Sequence, residues 1–418
     1  MGQNDKDIIG KKKSIWKYVV IAVIVIVVVF FLIQLIIHNP DLQEHYDNNS
    51  NNGSDSSGND FPTALSEQKE YVYNYLLNRG SSTEMTYLGY DKPTLEGIQA
   101  KKASTDLSSN YPSYIKGVFD PSAETNTVDL LYFSDELLDV GINTYFVIGE
   151  YQINNNQAEL FHPYISSNGD CSVLSEDDAK LVLADRLLMA KELGFSTILV
   201  PDYPSAFDRS RESYDIALID PELKRVALEL AEIAQDYRAD YFAPVNEYEH
   251  LLYSNGYSME EVSPLFTAFY ADLIPKIREI YDGKIIIKCG NVGDWDDFSM
   301  LSMSGADLFG VGNAYMANPG EVAEDIADMA YAADAVSERD DVPWFISEFL
   351  VFNSDDQIGM FGEVRSTITT DEAYEEAVDA FSLKGSGASG FSFMSWTGTG
   401  KIRNTDAAGH VKNFFASK

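Results

Sequence analysis

The segment YFAPVNE, residues 241–247, is a short run of apolar and aromatic residues that ends in an amide and a carboxyl side chain. The segment WFISE, residues 344–348, has the same form and also ends in a glutamate. Short apolar runs of this kind are typical of strands buried on both faces of a parallel sheet. We therefore expect Glu247 and Glu348 to lie at the carboxyl ends of two parallel strands.

Six further segments have the same form, with helix signals between them. The eight candidate strands are Tyr114–Phe119, Thr144–Ile148, Ser196–Val200, Tyr241–Val245, Lys284–Lys288, Leu308–Val311, Trp344–Ser347 and Gly390–Met394. Strands that alternate with helices predict a parallel sheet. Eight such units in roughly 300 residues favour a closed (β/α)8 barrel, or TIM barrel, over an open doubly wound sheet. The predicted fold class is therefore α/β.

Helix start and stop signals support this alternation. Ser175 and Ser258 each precede an acidic residue three positions later, which is the capping-box pattern, and Gly194 closes the first of these two helices. The pair Asp220-Pro221 predicts a helix that begins at the proline, with the aspartate as its cap.

The chemistry of the predicted barrel follows from its geometry. Catalytic groups of such barrels lie where the strands end, so closure of the ring would bring Glu247 and Glu348 together. Two facing carboxyl groups can protonate a leaving oxygen and attack an oxocarbenium-like centre, which is what glycoside cleavage requires. Lys288 at the end of the fifth strand could form a Schiff base, as in aldolase barrels, but no neighbouring residue supports that reading.

The residues around both glutamates resemble the signature of the retaining glycoside hydrolases of clan A, which include cellulases, β-mannanases and endo-galactanases. The resemblance is carried by APVNE at 243–247, NAY at 313–315, FISEF at 345–349 and FSFMSW at 391–396. It implies that Glu247 is the general acid/base, that Asn246 contacts the sugar 2-hydroxyl and that Glu348 is the nucleophile. It also implies that Tyr315 hydrogen-bonds the nucleophile and that Trp396 floors the subsite next to the scissile bond.

The family within the clan stays open, because Asn313 stands where cellulase-type members carry a histidine. Polar and aromatic residues at other strand ends are further candidates for sugar binding. These are Asp120, Glu150, Asp202 and Asn313, with Trp295 in the loop after the fifth strand as a second aromatic platform.

Composition and absent motifs argue against nucleic-acid-binding proteins, dinucleotide-dependent enzymes, serine hydrolases and metalloenzymes. The net charge of −36 would repel nucleic acid, so we expect no such partner. The glycine pattern at 385–390 precedes the last strand and does not follow the first, which argues against a dinucleotide site, and no G-x-S-x-G elbow occurs. The five histidines lack metal-site spacing, so we expect neither metal nor cofactor. Cys171 and Cys289 allow one disulfide at most.

The N-terminal region differs from the rest in composition. Residues 1–17 form a basic tail, 18–37 an apolar run that matches the roughly 20 residues of a transmembrane helix, and 38–60 a linker rich in Asn, Ser, Gly and Asp. A helical lead-in around 65–77 then opens the predicted barrel domain, 61–418. The lysines before the apolar run predict a cytoplasmic N-terminus and an extracytoplasmic barrel, with the lipid bilayer as a partner.

Together these patterns predict a membrane-anchored, extracytoplasmic retaining glycoside hydrolase that acts on a β-linked poly- or oligosaccharide. A glycan-binding barrel without activity, such as a wall or surface lectin, is compatible with the same residues. A transglycosylase of envelope glycan assembly is compatible as well. The sequence leaves the sugar, the mode of attack and the oligomeric state open.

Overall fold

The computed structural model describes residues 65–78, 88–203, 214–290, 294–315, 319–351, 367–384, 387–398 and 401–418. The helices are α1 (Leu65–Asn78), α2 (Leu95–Ser104), α3 (Ala123–Val140), α4 (Glu176–Glu192), α5 (Ile216–Asp236), α6 (Tyr248–Ser254), α7 (Met259–Arg278), α8 (Trp295–Phe298), α9 (Glu321–Asp340), α10 (Thr370–Lys384) and α11 (Asp406–Ala416). The strands are β1 (Ile115–Phe119), β2 (Thr144–Asn154), β3 (Gln157–Leu160), β4 (Pro163–Ile165), β5 (Cys171–Val173), β6 (Ser196–Asp202), β7 (Tyr241–Phe242), β8 (Lys284–Cys289), β9 (Leu308–Tyr315), β10 (Trp344–Val351) and β11 (Gly390–Met394).

Eight of these strands form a closed parallel barrel, in the order β1, β2, β6, β7, β8, β9, β10 and β11. The ring closes because β1 pairs in parallel with both β11 and β2. The predicted (β/α)8 barrel is therefore confirmed, and each of the eight candidate strands overlaps a barrel strand. Strands β2, β6, β8, β9 and β10 continue beyond their predicted ends, whereas β7 is limited to Tyr241–Phe242.

Side chains along the barrel strands alternate between two apolar layers. Phe146, Ile286 and Phe345 belong to the inner cluster. Their strand neighbours Ile287 and Ile346 belong to the outer cluster, between the strands and the helices. This alternation follows from the two-residue period of a strand. It allows the direction of each polar residue at a strand end to be read from its neighbours.

Helix caps agree with the sequence in two cases and differ in a third. Ser175 accepts a hydrogen bond from the backbone of Asp178, and Ser258 forms a complete capping box. The predicted helix start at Pro221 is wrong, because α5 begins at Ile216 with Asp215 as its N-cap. Asp215 provides the stronger signal, since its side chain accepts from Ala217 N at 3.0 Å.

The segment between β2 and α4 was not predicted. Strand β2 turns at Asn155 and Asn156, both with positive φ, and pairs antiparallel with β3. A second antiparallel pair, β4 and β5, follows. Helix α1 covers this pair through an apolar cluster formed by Val72, Leu76, Ile165 and Cys171. The two asparagines are a hairpin signal, because Asn tolerates the left-handed conformation that such turns require.

Two further expectations concern the cysteines and the N-terminal region. Cys171 and Cys289 are both buried and unpaired. In the part of the chain that the structure describes, no helix is long and apolar enough to cross a bilayer. The predicted span at 18–37 lies outside the described residues, as do the basic tail at 1–17 and the linker at 38–60.

Candidate active site

Glu247 follows the fourth barrel strand, β7, and reaches the barrel axis through an unusual backbone conformation. Ala243 faces inward and Val245 outward, so strict alternation ends before the glutamate, and Asn246 faces inward because its Oδ1 lies 2.6 Å from Lys288 Nζ. Glu247 has φ 53° and ψ 51°, in the left-handed region. Its carboxyl group therefore lies on the same side as Asn246, with Oε1 3.4 Å from Lys288 Nζ. Such a conformation costs about 1 kcal/mol or more, and strain of this kind concentrates at functional sites.

Glu348 lies within the seventh barrel strand, β10, at a β-bulge. Ile346 pairs with Val311 and Glu348 with Gly312, so Ser347 is an extra residue in the ladder. Strict alternation from Ile346, which faces outward, would point Glu348 outward as well. The bulge reverses this, and Glu348 Oε2 lies 3.2 Å from Lys288 Nζ. Bulges often re-aim side chains in this way beside active sites.

Lys288, on β8, is the residue on which both glutamates converge. Its Nζ lies 2.6 Å from Asn246 Oδ1, 3.2 Å from Glu348 Oε2 and 3.4 Å from Glu247 Oε1. These three acceptors match the three N–H groups of an ammonium. The lysine side chain is fully buried, whereas 13% of each glutamate side chain is exposed. The carboxyl groups thus form the accessible floor of the barrel mouth, with the ammonium beneath them.

The surroundings of Asn246 determine the orientation of its amide. Lys288 only donates hydrogen bonds, so the carbonyl oxygen must face it. Asp202, at the end of β6, accepts a hydrogen bond from Asn246 Nδ2 at 3.0 Å. One amide N–H bonds to this carboxylate, and the second N–H of the same nitrogen is left for another acceptor.

The two carboxyl groups also hydrogen-bond each other, so they titrate as a pair. Burial raises the pKa of Glu348 to about 8; Lys288 opposes this shift, and the charge of Glu247 adds to it. For Glu247, burial acts to raise the pKa, but Lys288, His250 and the hydrogen bond to Glu348 together outweigh it and lower the pKa below its usual value. The pair therefore carries one proton and one negative charge in neutral solution. Burial opposes the charge of Lys288, but Glu348 and Glu247 together raise its pKa, which keeps it cationic.

Glycines on the neighbouring strands leave room for both glutamates. A Cβ at Gly290 would lie 2.8 Å from the carboxyl carbon of Glu247, and a Cβ at Gly312 would lie 2.8 Å from Glu348 Oε1. Glu249 lies behind this group, fully buried, and accepts a hydrogen bond from Gly290 N at 2.6 Å. Burial and the charge of Glu247 raise the pKa of Glu249 to about 8.

Three other predicted strand-end acids are buried. Asp202 contacts Asn246, and thereby joins the group around Lys288. Glu150 accepts hydrogen bonds from the hydroxyl of Tyr75 and from Ala123 N. Asp120 accepts from the backbone of Ser122 at 3.2 Å. The structure thus brings Asp202 to the glutamate pair, while hydrogen bonds link Glu150 to α1 and to the start of α3, and Asp120 to the N-cap of α3.

Trp396 occupies a different place from the one predicted. It is only 4% exposed, lies in the outer apolar layer with Phe393, and donates from Nε1 to Glu136 on α3. The structure thus places its ring outside the mouth, and the prediction that it floors a subsite is wrong. Phe393 points outward within β11, but Trp396 lies beyond the end of that strand at Met394, where the two-residue period no longer fixes the side of a side chain.

The remaining predicted residues lie on the sixth barrel strand and the loop before it. Trp295 is half-buried, and its Nε1 donates to Asp325 on α9 at 2.8 Å. Its role as a platform stays a prediction. Asn313 and Tyr315 lie at the end of β9, where Asn313 pairs with Phe349 and Tyr315 with Val351. Only the backbone of these two residues is described, so their roles also stay predictions.

Sequence reasoning considered Lys288 only as a Schiff-base residue, without placing it between the two glutamates, and it missed Glu249. The signal for Lys288 was a single charged residue at the end of the apolar run KIIIKC, at an inward position. Across the described ranges, no group of three or more His, Cys, Asp or Glu side chains is arranged to hold a metal ion.

Comparison with known proteins gives a similarity of fold. No family model and no curated protein sequence matches the chain. A solved GH113 β-1,4-mannanase is similar at a TM-score of 0.52 with 13% identity, covering 73% of this chain and 100% of that one. A second structure, a complex of a GH113 β-1,4-mannanase, gives 0.50 with the same identity and coverage. The expected likeness to the barrels of clan A glycoside hydrolases is confirmed at the level of the fold.

Proposed function

We propose that this protein is a retaining glycoside hydrolase that cleaves a β-linked poly- or oligosaccharide. The observation that carries the proposal is the convergence of Glu247 and Glu348 on one ammonium group at the open end of the barrel. Retaining enzymes hold their two carboxyl groups about 5 to 5.5 Å apart, and inverting enzymes hold them about 6.5 to 9.5 Å apart. A directly hydrogen-bonded pair favours the retaining arrangement, with a sugar separating the two groups when it binds.

The reaction would proceed in two displacements. A carboxylate oxygen of Glu348 attacks the anomeric carbon, the bond to the leaving oxygen breaks, and Glu247 gives its proton to that oxygen. Water then attacks the same carbon, the ester bond to Glu348 breaks, and the proton of the water passes to Glu247. Two inversions at one carbon retain its configuration.

In the free protein the proton that the two glutamates share lies on Glu348, because the pKa of Glu348 is raised and that of Glu247 is lowered. The first displacement needs this proton on Glu247. The hydrogen bond between the two groups provides a path for the transfer. Entry of a sugar would then separate the carboxyl groups with Glu348 ionised. Asn246, whose second amide N–H is available, is suited to donate to the sugar 2-hydroxyl.

We further propose that residues 18–37 anchor the protein in the membrane, with residues 1–17 in the cytoplasm and the barrel outside the cell. This part of the proposal rests on the apolar run and the lysines before it. Protease added to intact cells should then release the barrel domain. A barrel that stays protected in intact cells but is digested after lysis would contradict the orientation.

A glycan screen tests the activity. The similarity to β-1,4-mannanases makes β-mannan the first candidate, followed by β-galactan, cellulose and aryl β-glycosides. We expect release of reducing ends, with proton NMR showing a β-anomer as the first product. An initial α-anomer would contradict retention. Binding without release would support a lectin, and products longer than the substrate would support a transglycosylase.

A further inference from the structure

We propose that Lys288 is a positioning residue that balances the single negative charge of the glutamate pair in both displacements, whichever glutamate carries it. The inference rests on the proposed function, because it concerns the two steps of that reaction. It also goes beyond that function, since neither step by itself requires a buried cation.

The argument begins with a count of charge. Before the first displacement Glu348 is ionised and Glu247 is protonated. After it Glu348 is an uncharged ester and Glu247 has lost its proton to the leaving oxygen. One negative charge has therefore moved from the seventh strand to the fourth, and the second displacement moves it back.

The geometry allows one cation to serve both positions. Lys288 Nζ lies 3.2 Å from Glu348 and 3.4 Å from Glu247, so the charge changes residue without leaving the reach of the ammonium. Its shortest bond, 2.6 Å to Asn246, fixes the nitrogen between them. Because the lysine is fully buried, water screens these interactions little.

Other charged and titratable groups near Lys288 also affect the charges of the lysine and of the glutamate pair. Asp202 on β6 adds a negative charge that also favours the cation. Glu249 and Cys289 lie behind Glu247, and burial raises the pKa of each, so that both are uncharged near neutrality. His250 contributes a weaker positive influence on Glu247. Within the described part of the chain, Lys288 is the ammonium in contact with both glutamates.

Removal of the charge is the direct test. Lys288→Met keeps a side chain of similar length without the ammonium. With dinitrophenyl glycosides, kcat reports the second displacement; with alkyl glycosides, kcat/KM reports the first. We expect both rates to fall about 100-fold or more, as when one preorganised electrostatic contact is removed. The acid limb of the kcat/KM profile should move to higher pH, since the cation lowers the pKa of both carboxyls. Loss in only one displacement, or an unmoved acid limb, would overturn the proposal.

Two comparisons separate charge from folding. Lys288→Arg keeps the charge and should keep the acid limb near its original pH; a limb that moves as in the methionine variant would contradict the proposal. Lys191→Met removes another buried lysine, which pairs with Asp240 at 3.0 Å near the start of β7. It should lower the thermal midpoint without moving the pH profile.

A measurement without substrate keeps this inference distinct from the function. Carbon-13 NMR of the glutamate carboxyls, assigned with Gln variants, follows the titration of the pair directly. The lower of its two pKa values should rise in Lys288→Met, and an unchanged titration would overturn the charge-balancing role. A wild-type protein that cleaves no glycan would instead refute the proposed function, whatever the titration shows.

Discussion

The ends of the fourth and seventh barrel strands bring glutamates to the same ammonium group, but their backbones do so in different ways. At the fourth strand Glu247 itself adopts a left-handed conformation with φ 53°. At the seventh strand Glu348 remains paired with the neighbouring strand, and an extra residue before it, Ser347, directs its side chain inward. On the fourth strand the strained backbone is that of the glutamate itself, Glu247. On the seventh strand the irregular residue is Ser347, one position before Glu348. The position proposed to form a covalent bond thus keeps its pairing with Gly312 on β9, and the ladder continues after it at Phe349.

Loss of the seventh-strand acid should have the largest effect. In Glu348→Gln the amide cannot form the glycosyl ester, so kcat should fall about 10⁴-fold or more while the fold is kept. Glu124→Gln is a matched control, because Glu124 is a still more deeply buried glutamate and burial also raises its pKa to about 8. It should leave kcat within a few-fold of the wild-type value. Turnover on the glycan identified in the screen is the measurement, and substantial turnover by Glu348→Gln would remove it as the nucleophile.

Loss of the fourth-strand acid should cost less and depend on the leaving group. General acid catalysis contributes about 10²- to 10⁴-fold, so Glu247→Gln should show a loss of that size with alkyl glycosides. The loss in the first displacement should be much smaller with dinitrophenyl glycosides, whose leaving group needs no proton. Steady-state kcat/KM for both substrates measures the contrast. Equal losses for the two leaving groups would rule out the acid role.

The glycines beside the two acids test how tightly each is held. In Gly312→Ala the new Cβ would lie 2.8 Å from Oε1 of Glu348. In Gly290→Ala it would lie 2.8 Å from the carboxyl carbon of Glu247. Both contacts are closer than Cβ atoms normally make, so each glutamate would have to shift. A displacement of about 1 Å can cost on the order of 100-fold, so we expect kcat to fall about 10- to 100-fold in both. Gly409→Ala is the control, since a Cβ there meets nothing within 4 Å. An unchanged kcat in both site variants would show that the carboxyls have room to move.

The pH dependence of stability provides a further contrast. Glu348 on the seventh strand and Glu249 after the fourth have pKa values of about 8, against about 4.3 in an unfolded chain. The folded state therefore binds more protons, and the free energy of unfolding falls as pH rises toward 8. His162, whose pKa burial lowers, acts in the opposite sense only below about 6.5.

Urea unfolding at pH 6.5 and at pH 8.0 measures this effect in a window where the histidine contributes little, because it is at most half protonated in the unfolded chain. We expect the lower midpoint at pH 8.0. Glu249→Gln should reduce the difference between the two midpoints, because glutamine has no proton to lose. A midpoint that rises with pH would contradict the direction given for these carboxyls.

The smallest effect compares the two backbones directly. Glu247→Gly should be about 1 kcal/mol more stable than Glu247→Ala, because glycine adopts the left-handed conformation without strain. Glu348→Gly should be about 0.5 to 1 kcal/mol less stable than Glu348→Ala, since glycine weakens a strand. Within each pair the carboxyl group is lost from both variants, so the difference reports the backbone alone. Urea unfolding measures this difference in stability. If glycine were more stable than alanine at both positions, or less stable at both, the proposed difference between the two backbones would be contradicted.

The barrel could be predicted because its signal is local and repeated. Each strand is an apolar run, and Ser175 and Ser258 mark two of the helix starts where capping chemistry requires them. The two glutamates could be placed at strand ends for the same reason. How Glu348 turns inward could not be predicted, because a bulge exists only relative to the pairing of the neighbouring strand.

Lys288 and Trp396 are two residues whose roles the sequence did not predict correctly. Both are single residues near strand ends, and only the inward or outward side of the strand decides their role. The alternation in KIIIKC directs Lys288 inward, whereas Trp396 joins Phe393 in the outer layer. Beyond the last ladder pair the chain no longer follows the two-residue period, so a tryptophan two residues after β11 could not be assigned a side from the sequence.

Helix α1 bears on where a recombinant fragment of this protein should begin. It precedes the barrel, but Val72 and Leu76 cover Ile165 and Cys171, and Tyr75 donates its hydroxyl to the buried carboxylate of Glu150. A recombinant fragment trimmed to the first residue of the barrel would uncover that apolar surface and remove this hydrogen-bond donor. The N-terminal truncation boundary for expression and crystallisation should therefore fall before Leu65.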